Sequence, residues 1–159
     1  MFIKVKRFFL LSSIQLFIGL SISCKAENQI LSETMIENTK LVSGNKIQIK
    51  IGEKTFKARL FDSPTTKAFK ALLPLTINMN ELNSNEKYAD LTMSLPVNTS
   101  VPASIQVGDL MIYGSRTLVL FYKGFSTSYS YTKIGKIDDV TGLLAALGNG
   151  DVTVSFEFK

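Results

Sequence analysis

The residues best equipped for chemistry in this chain are aromatic rings and hydroxyls gathered toward its C-terminal third. Tyr113, Phe121, Tyr122, Phe125, Tyr129 and Tyr131 lie near one another, and Ser126, Thr127, Ser128 and Ser130 are threaded between the last of them. Aromatic faces take up flat or apolar groups, and hydroxyls beside them orient a ligand by hydrogen bonding. Two readings fit this segment: a ligand pocket, or rings that pack the wall of the fold. Arg59 falls on a predicted strand, where it either holds a carboxylate or stands in solvent. Glu86 and Asp90 lie in a loop-rich region and read either as a working carboxylate pair or as surface acids. Asp138-Asp139 reads either as a cation site or, more simply, as caps for the helix expected after it.

What the chain lacks narrows the chemistry further. It has no histidine, no tryptophan and a single cysteine, Cys24. Without histidine there is no Ser-His-Asp or Cys-His catalysis and no histidine-based metal site. An enzyme here would have to work with carboxylates, Lys, Arg, Tyr or Ser. One cysteine forms no intrachain disulfide. No cofactor and no metal is expected, and Gly148 and Gly150 read as flanking a turn instead of forming a phosphate-binding loop.

The elements that must position these residues are mostly strands. Lys46–Ile51 and Lys54–Leu60 alternate apolar and polar residues around Gly52-Glu53, a hairpin pattern. Ser63 and Pro64 open a predicted helix carrying Ala68, Phe69, Leu72 and Leu73, which Pro74 ends. Leu75–Met79 reads as a short strand. Residues 80–102 are rich in Asn, Ser and Pro and read as loops, with a brief extended piece at Tyr88–Leu91. Asp109–Tyr113 and Thr117–Tyr122 predict a second hairpin around Gly114-Ser115-Arg116. Phe125, Thr127, Tyr129 and Tyr131 alternate with Ser126, Ser128 and Ser130, which predicts a strand with rings on one face, continued by Ile134–Ile137. A short helix over Val140–Leu147 and a last strand over Asp151–Phe158 complete the chain. Many strands and about two helices predict a mainly β fold, a closed barrel with capping helices.

The N-terminus carries an address. Lys4, Lys6 and Arg7 precede an apolar run from Phe8 to Leu20, and Ser21-Ile22-Ser23-Cys24 follows. A charged start, an apolar middle and small residues at the cut describe an export signal. The run is short of the ~20 residues of a membrane-spanning helix. With cysteine at the cut it resembles a bacterial lipoprotein signal, although Ser21 stands where that pattern usually has Leu. The resemblance implies residues 1–23 as signal peptide, Cys24 as the lipidated residue, 24–45 as a tether and 46–159 as the domain. The protein is then expected as a membrane-anchored lipoprotein in the periplasm or at the cell surface. Residues 1–23 hold three of the 18 basic residues and none of the 13 acidic ones, so the net charge falls from +5 to +2 without them. That is too little for a nucleic-acid partner.

Three landmarks in order resemble the cyclophilin fold. They are Ala58-Arg59-Leu60-Phe61-Asp62-Ser63-Pro64-Thr65-Thr66-Lys67-Ala68-Phe69, then Gly108-Asp109-Leu110-Met111-Ile112-Tyr113 leading to Leu120-Phe121-Tyr122, then Ile134-Gly135-Lys136-Ile137. Asn85-Glu86-Lys87-Tyr88, Gly108–Gly114 and Ser126–Tyr131 look like a bacterial family of small cyclophilin-like domains of unassigned activity, and the likeness covers Lys46–Phe158. The catalytic set of the isomerases is not matched. Tyr88-Ala89-Asp90 falls where those enzymes have Phe-His-Arg, Leu120-Phe121-Tyr122 lacks their Gln, and their Trp and His are absent. Arg59 is left as the one stand-in considered for the lost arginine.

These features lead to one expectation and two alternatives. The first is a non-catalytic module binding a small molecule or an extended peptide through Arg59, Glu86, Tyr113, Phe121, Tyr122, Phe125, Thr127, Tyr129 and Tyr131. The alternatives are a divergent peptidyl-prolyl isomerase, and an accessory domain to a flavodoxin-like redox partner, beside which similar domains are found.

Overall fold

The computed structural model describes residues 44–159. The predicted signal, Cys24 and all of the tether except Gly44 and Asn45 lie outside the described residues. The elements run β1 (Lys46–Ile51), β2 (Lys54–Leu60), α1 (Pro64–Lys70), β3 (Leu75–Leu82), β4 (Glu86–Asp90), β5 (Asp109–Tyr113), β6 (Thr117–Phe121), β7 (Tyr131–Ile137), α2 (Leu143–Leu147) and β8 (Val152–Phe158). The strands close into a barrel in the order β1-β2-β7-β5-β6-β4-β3-β8. Every neighbouring pair is antiparallel.

Period-two patterning drives the closure. Ile47, Ile49 and Ile51 of β1 and Phe56, Ala58 and Leu60 of β2 point inward, and the hydrophilic residues between them point out. The helices supply the remaining cover. Ser63 caps α1 by accepting from the Thr66 amide at 3.1 Å, and Pro64 sits in its first turn. The helix delivers Phe69 edge-on to Phe156, with ring centres 5.9 Å apart. α2 delivers Leu143 and Leu147 to the same interior. Because α1 follows β2 and α2 follows β7, and those strands are antiparallel, the helices leave from opposite ends of the barrel.

Three sequence expectations are corrected. Residues 80–102 hold more strand than the brief extended piece expected at Tyr88–Leu91. β3 runs on to Leu82, and β4 is a full barrel strand between β3 and β6. Its polar composition hid it, because Lys87 turns inward to an ionic partner instead of outward to water. Residues 125–130 are not a strand. Phe125 makes one isolated bridge to Ile105, and β7 starts only at Tyr131. The helix predicted over Val140–Leu147 is confined to Leu143–Leu147, since Gly142 has a φ of 79° and interrupts the run.

β7 also carries an irregularity. Leu110 pairs with Gly135 but Met111 pairs with Lys133, so Ile134 is an extra residue opposite β5. The released Ile134 carbonyl accepts from the Phe61 amide at 2.9 Å. Glycine is required beside it. A Cβ on Gly135 would sit 2.7 Å from the Arg59 carbonyl oxygen and 3.2 Å from Leu60 Cα.

Candidate functional site

A second apolar cluster lies on the outside of the barrel wall. Met111 of β5, Val119 and Phe121 of β6, and Tyr131 of β7 are the outward alternates of those strands, and Ile105 packs on them. Two long connections cover this face. The segment after β4 pairs through Ser100 with Tyr131 and through Ile105 with Phe125, and the segment after β6 supplies Phe125 itself. Edge-to-face contacts bind the rings together, with Phe121 5.7 Å from Phe125 and 5.5 Å from Tyr131.

Beside this cluster opens a cavity of about 740 Å³. β4 contributes Glu86, Tyr88 and Asp90, all outward alternates, and the hairpin before it contributes Asn85. β5 and β6 contribute Tyr113, Thr117 and Val119, and the segment after β6 contributes Phe125 to Tyr129. Tyr113 is the pivot of the ring system, with Tyr131 at 5.6 Å and Tyr129 at 6.2 Å. Four of the five tyrosines of the chain therefore border one hollow.

The polar groups divide unevenly. Thr117 donates its hydroxyl to Asp90 at 2.7 Å. Glu86 is only 8% exposed, and no described residue gives its carboxylate a hydrogen bond or a salt bridge. Burial pushes its pKa up, and the negative charge of Glu81 pushes it the same way. Burial also raises the Tyr131 hydroxyl to about 12, helped by the charge of Glu86. The Asn85 side-chain oxygen is buried with no hydrogen-bond partner.

The predicted site residues separate into three groups. Glu86, Tyr113, Phe125, Thr127, Tyr129 and Tyr131 come together on the cavity wall. Phe121 is fully buried beneath Phe125 and Tyr131, so it supports the wall without lining it. Arg59 and Tyr122 are elsewhere. Arg59 lies outward on β2, where it meets Asp138 at 3.1 Å with its side chain 65% exposed. Tyr122 follows Phe121 and so turns to the opposite face, into the barrel. There its hydroxyl donates to the Glu81 carboxylate at 2.8 Å, and burial, helped by that bond and the charge of Glu81, raises it to about 12.

The inner partner of Tyr122 is an ionic plug. Lys87 is fully buried, bonds to Glu81, and donates to the Gly148 and Gly150 carbonyls at 3.1 and 2.6 Å. Its ammonium lies 5.4 Å from the Tyr122 ring centre. Burial alone would raise the Glu81 carboxyl, but the hydrogen bonds from Lys87 and Tyr122 and the charge of Lys87 outweigh it and hold the group below 4.5.

Sequence reasoning missed Tyr88, Asn85 and Thr117 as wall residues. Tyr88 was findable in principle. Once Glu86 is placed outward on a strand, Tyr88 and Asp90 must follow it. Among the described residues no group of three or more His, Cys, Asp or Glu side chains is placed to hold a metal ion. No described helix is long and apolar enough to cross a membrane.

A family model described as "Cyclophilin-like family" matches residues 49–157, from β1 to β8. A search of curated proteins finds no match.

Proposed function

We propose that this chain, which belongs to the cyclophilin-like family, is a binding module whose ligand is a small molecule or an extended peptide segment held in the cavity over β4, β6 and β5. One observation carries this reading. The outer face of those strands has its own apolar cluster, roofed by two connections, beside a hollow of about 740 Å³. Hollows of ~300–1,000 Å³ with apolar walls and a few polar groups are typical of small-ligand sites. A barrel filled by its own side chains needs no such second layer.

Isomerase chemistry has less support. A twisted imide is stabilised by a donor aimed at the charge that develops on it. None of the side chains lining the cavity is basic, and Arg59 is engaged with Asp138 outside it. The reading also places the module at a membrane surface, with Cys24 as the lipid attachment point and the preceding residues as its export signal. It rests there on the sequence of Met1–Cys24.

Native mass spectrometry tests the binding reading. The protein is equilibrated with a library of drug-sized molecules and capped tripeptides, and the measurement is repeated on Ser128→Trp. Ser128 is an exposed wall residue, so the indole fills the hollow without entering the core. Adducts on the parent protein that disappear in the variant are expected. A protein that carries no adduct, or adducts indifferent to the indole, would overturn the reading.

A further inference from the structure

Resting on the cavity as a binding site, we infer that its ligand is an organic cation: a protonated amine or guanidinium on a body that the tyrosine rings can enclose. The argument starts from the buried charges. Four charged side chains are buried among the described residues: Lys70, Glu86, Lys87 and Asp109. Three are matched within the fold. Lys70 donates to the Gly44 carbonyl and the Asn45 side-chain oxygen, and Lys87 is held by Glu81 and two carbonyls. Asp109 accepts from the Gln106 amide at 2.9 Å and faces Lys133 at 4.0 Å. Glu86 alone has no partner among the described residues, and it is the one that borders the cavity.

A carboxylate that is largely shielded and receives no donor from the described fold is poorly compensated. Its oxygens are not closed off from solvent, and the cavity it lines is where a donor can meet them. The neighbouring Asn85 side-chain oxygen is an acceptor closed off from solvent without a donor, and it adds partial negative charge to the same stretch of wall. An anionic ligand would bring more acceptors to Glu86 and Asp90, with no lining Lys or Arg to receive it.

The rings add a second attraction of the same sign. The faces of Tyr88, Tyr113, Tyr129 and Tyr131 carry negative quadrupole potential, which draws cations that have left water. Amines and guanidiniums occur both as free metabolites and as the side chains of lysine and arginine in an extended peptide. The chemistry of recognition is shared, and the two sources differ in what surrounds the charge.

The test uses the full chain in nonionic detergent micelles and calorimetric titration with three probes of one shape: benzamidinium, benzamide and benzoate. Ring-labelled tyrosine resonances locate each probe. The cation should bind about tenfold or more tighter than the neutral amide, as charge-assisted hydrogen bonds do relative to neutral ones. Benzoate should be weakest. Glu86→Gln should bring cation and amide to within about threefold of each other, with the cation losing more than the amide. Glu53→Gln, an exposed acid in the β1–β2 turn, should leave the preference intact. Capped Ala-Arg-Ala against Ala-citrulline-Ala then reads the source. A larger charge preference in the peptides indicates a side-chain ligand, and an equal or smaller one a free molecule. Amide or benzoate bound in the cavity as tightly as benzamidinium, or a preference indifferent to Glu86→Gln, refutes the cation while leaving the binding module standing. No shift of the cavity tyrosines with any probe, in titrations to the solubility limit, removes both.

Discussion

Replacing Lys87 by methionine isolates the ionic plug inside the barrel. The change keeps most of the length of the side chain and removes its charge and three contacts, to Glu81 and to the Gly148 and Gly150 carbonyls. Breaking a buried pair by deleting one partner costs ~3–5 kcal/mol, because the other charge is left without compensation. Two features reduce that here. Glu81 keeps 19% exposure, and its carboxylate still accepts from Tyr122 and from the Ser84 amide at 2.8 Å each. A loss of about 2–3 kcal/mol near neutral pH is the expected result. The pH dependence follows from Glu81, whose folded-state pKa lies below 4.5. A depressed carboxylate contributes stability that is present above its unfolded pKa and is lost as pH falls through the folded value. The gap between parent and Lys87→Met, compared at neutral pH and at the most acid pH at which the parent stays folded, should therefore narrow as Glu81 is protonated. The chain has no tryptophan, so urea unfolding is followed by far-ultraviolet circular dichroism. A loss under about 1 kcal/mol at neutral pH, or an equal loss at both pH values, would refute this account of the plug.

Four further outcomes are expected. Glu86→Gln should stabilise the protein near neutral pH by on the order of 1 kcal/mol, because a raised carboxyl withdraws its stability as pH rises through its folded pKa; urea midpoints should converge again below about pH 4. Gly135→Ala should cost ~1–3 kcal/mol or more, since backbone atoms of Arg59 and Leu60 stand in the way, and a midpoint within error of the parent would contradict the contact. Cys24→Ala should shift the protein from the membrane fraction to the soluble one; retention through a carbonate wash would mean a different anchor. A proline-peptide assay should show little or no acceleration of cis–trans exchange, and a rate within about tenfold of an ordinary cyclophilin would restore the isomerase reading.

The first hairpin and the start of α1 were legible because their signals are local. Gly52-Glu53 sits between two alternating runs, and Ser63-Pro64 is both cap and first turn. β4 was legible only as a brief extended piece, since Lys87 and Glu86 read as solvent-facing until Glu81 and the cavity are brought to them by the fold. The aromatic rings of the site stood out as a group, but their sides did not. Phe121 and Tyr122 are adjacent on or just beyond one strand and serve opposite faces, and the run from Phe125 to Ser130 kept its alternation of rings and hydroxyls without joining a ladder. Arg59 was drawn to the site by a resemblance in its surroundings, whereas Asp138, 79 positions away, is what holds it.

The extra residue at Ile134 works as a phase shifter. Upstream of it, odd-numbered side chains of β7 look outward and bring Tyr131 to the ligand side. Downstream, Ile137 looks inward and even-numbered Lys136 looks out. One strand thus obeys two parities, and a single-residue offset is what joins them. The cavity wall and the barrel interior are for that reason insulated against substitution but bound together against length change. A ring at 131 can be exchanged without disturbing position 137. A deletion anywhere between them would have to send either the tyrosine to the core side or the isoleucine into water.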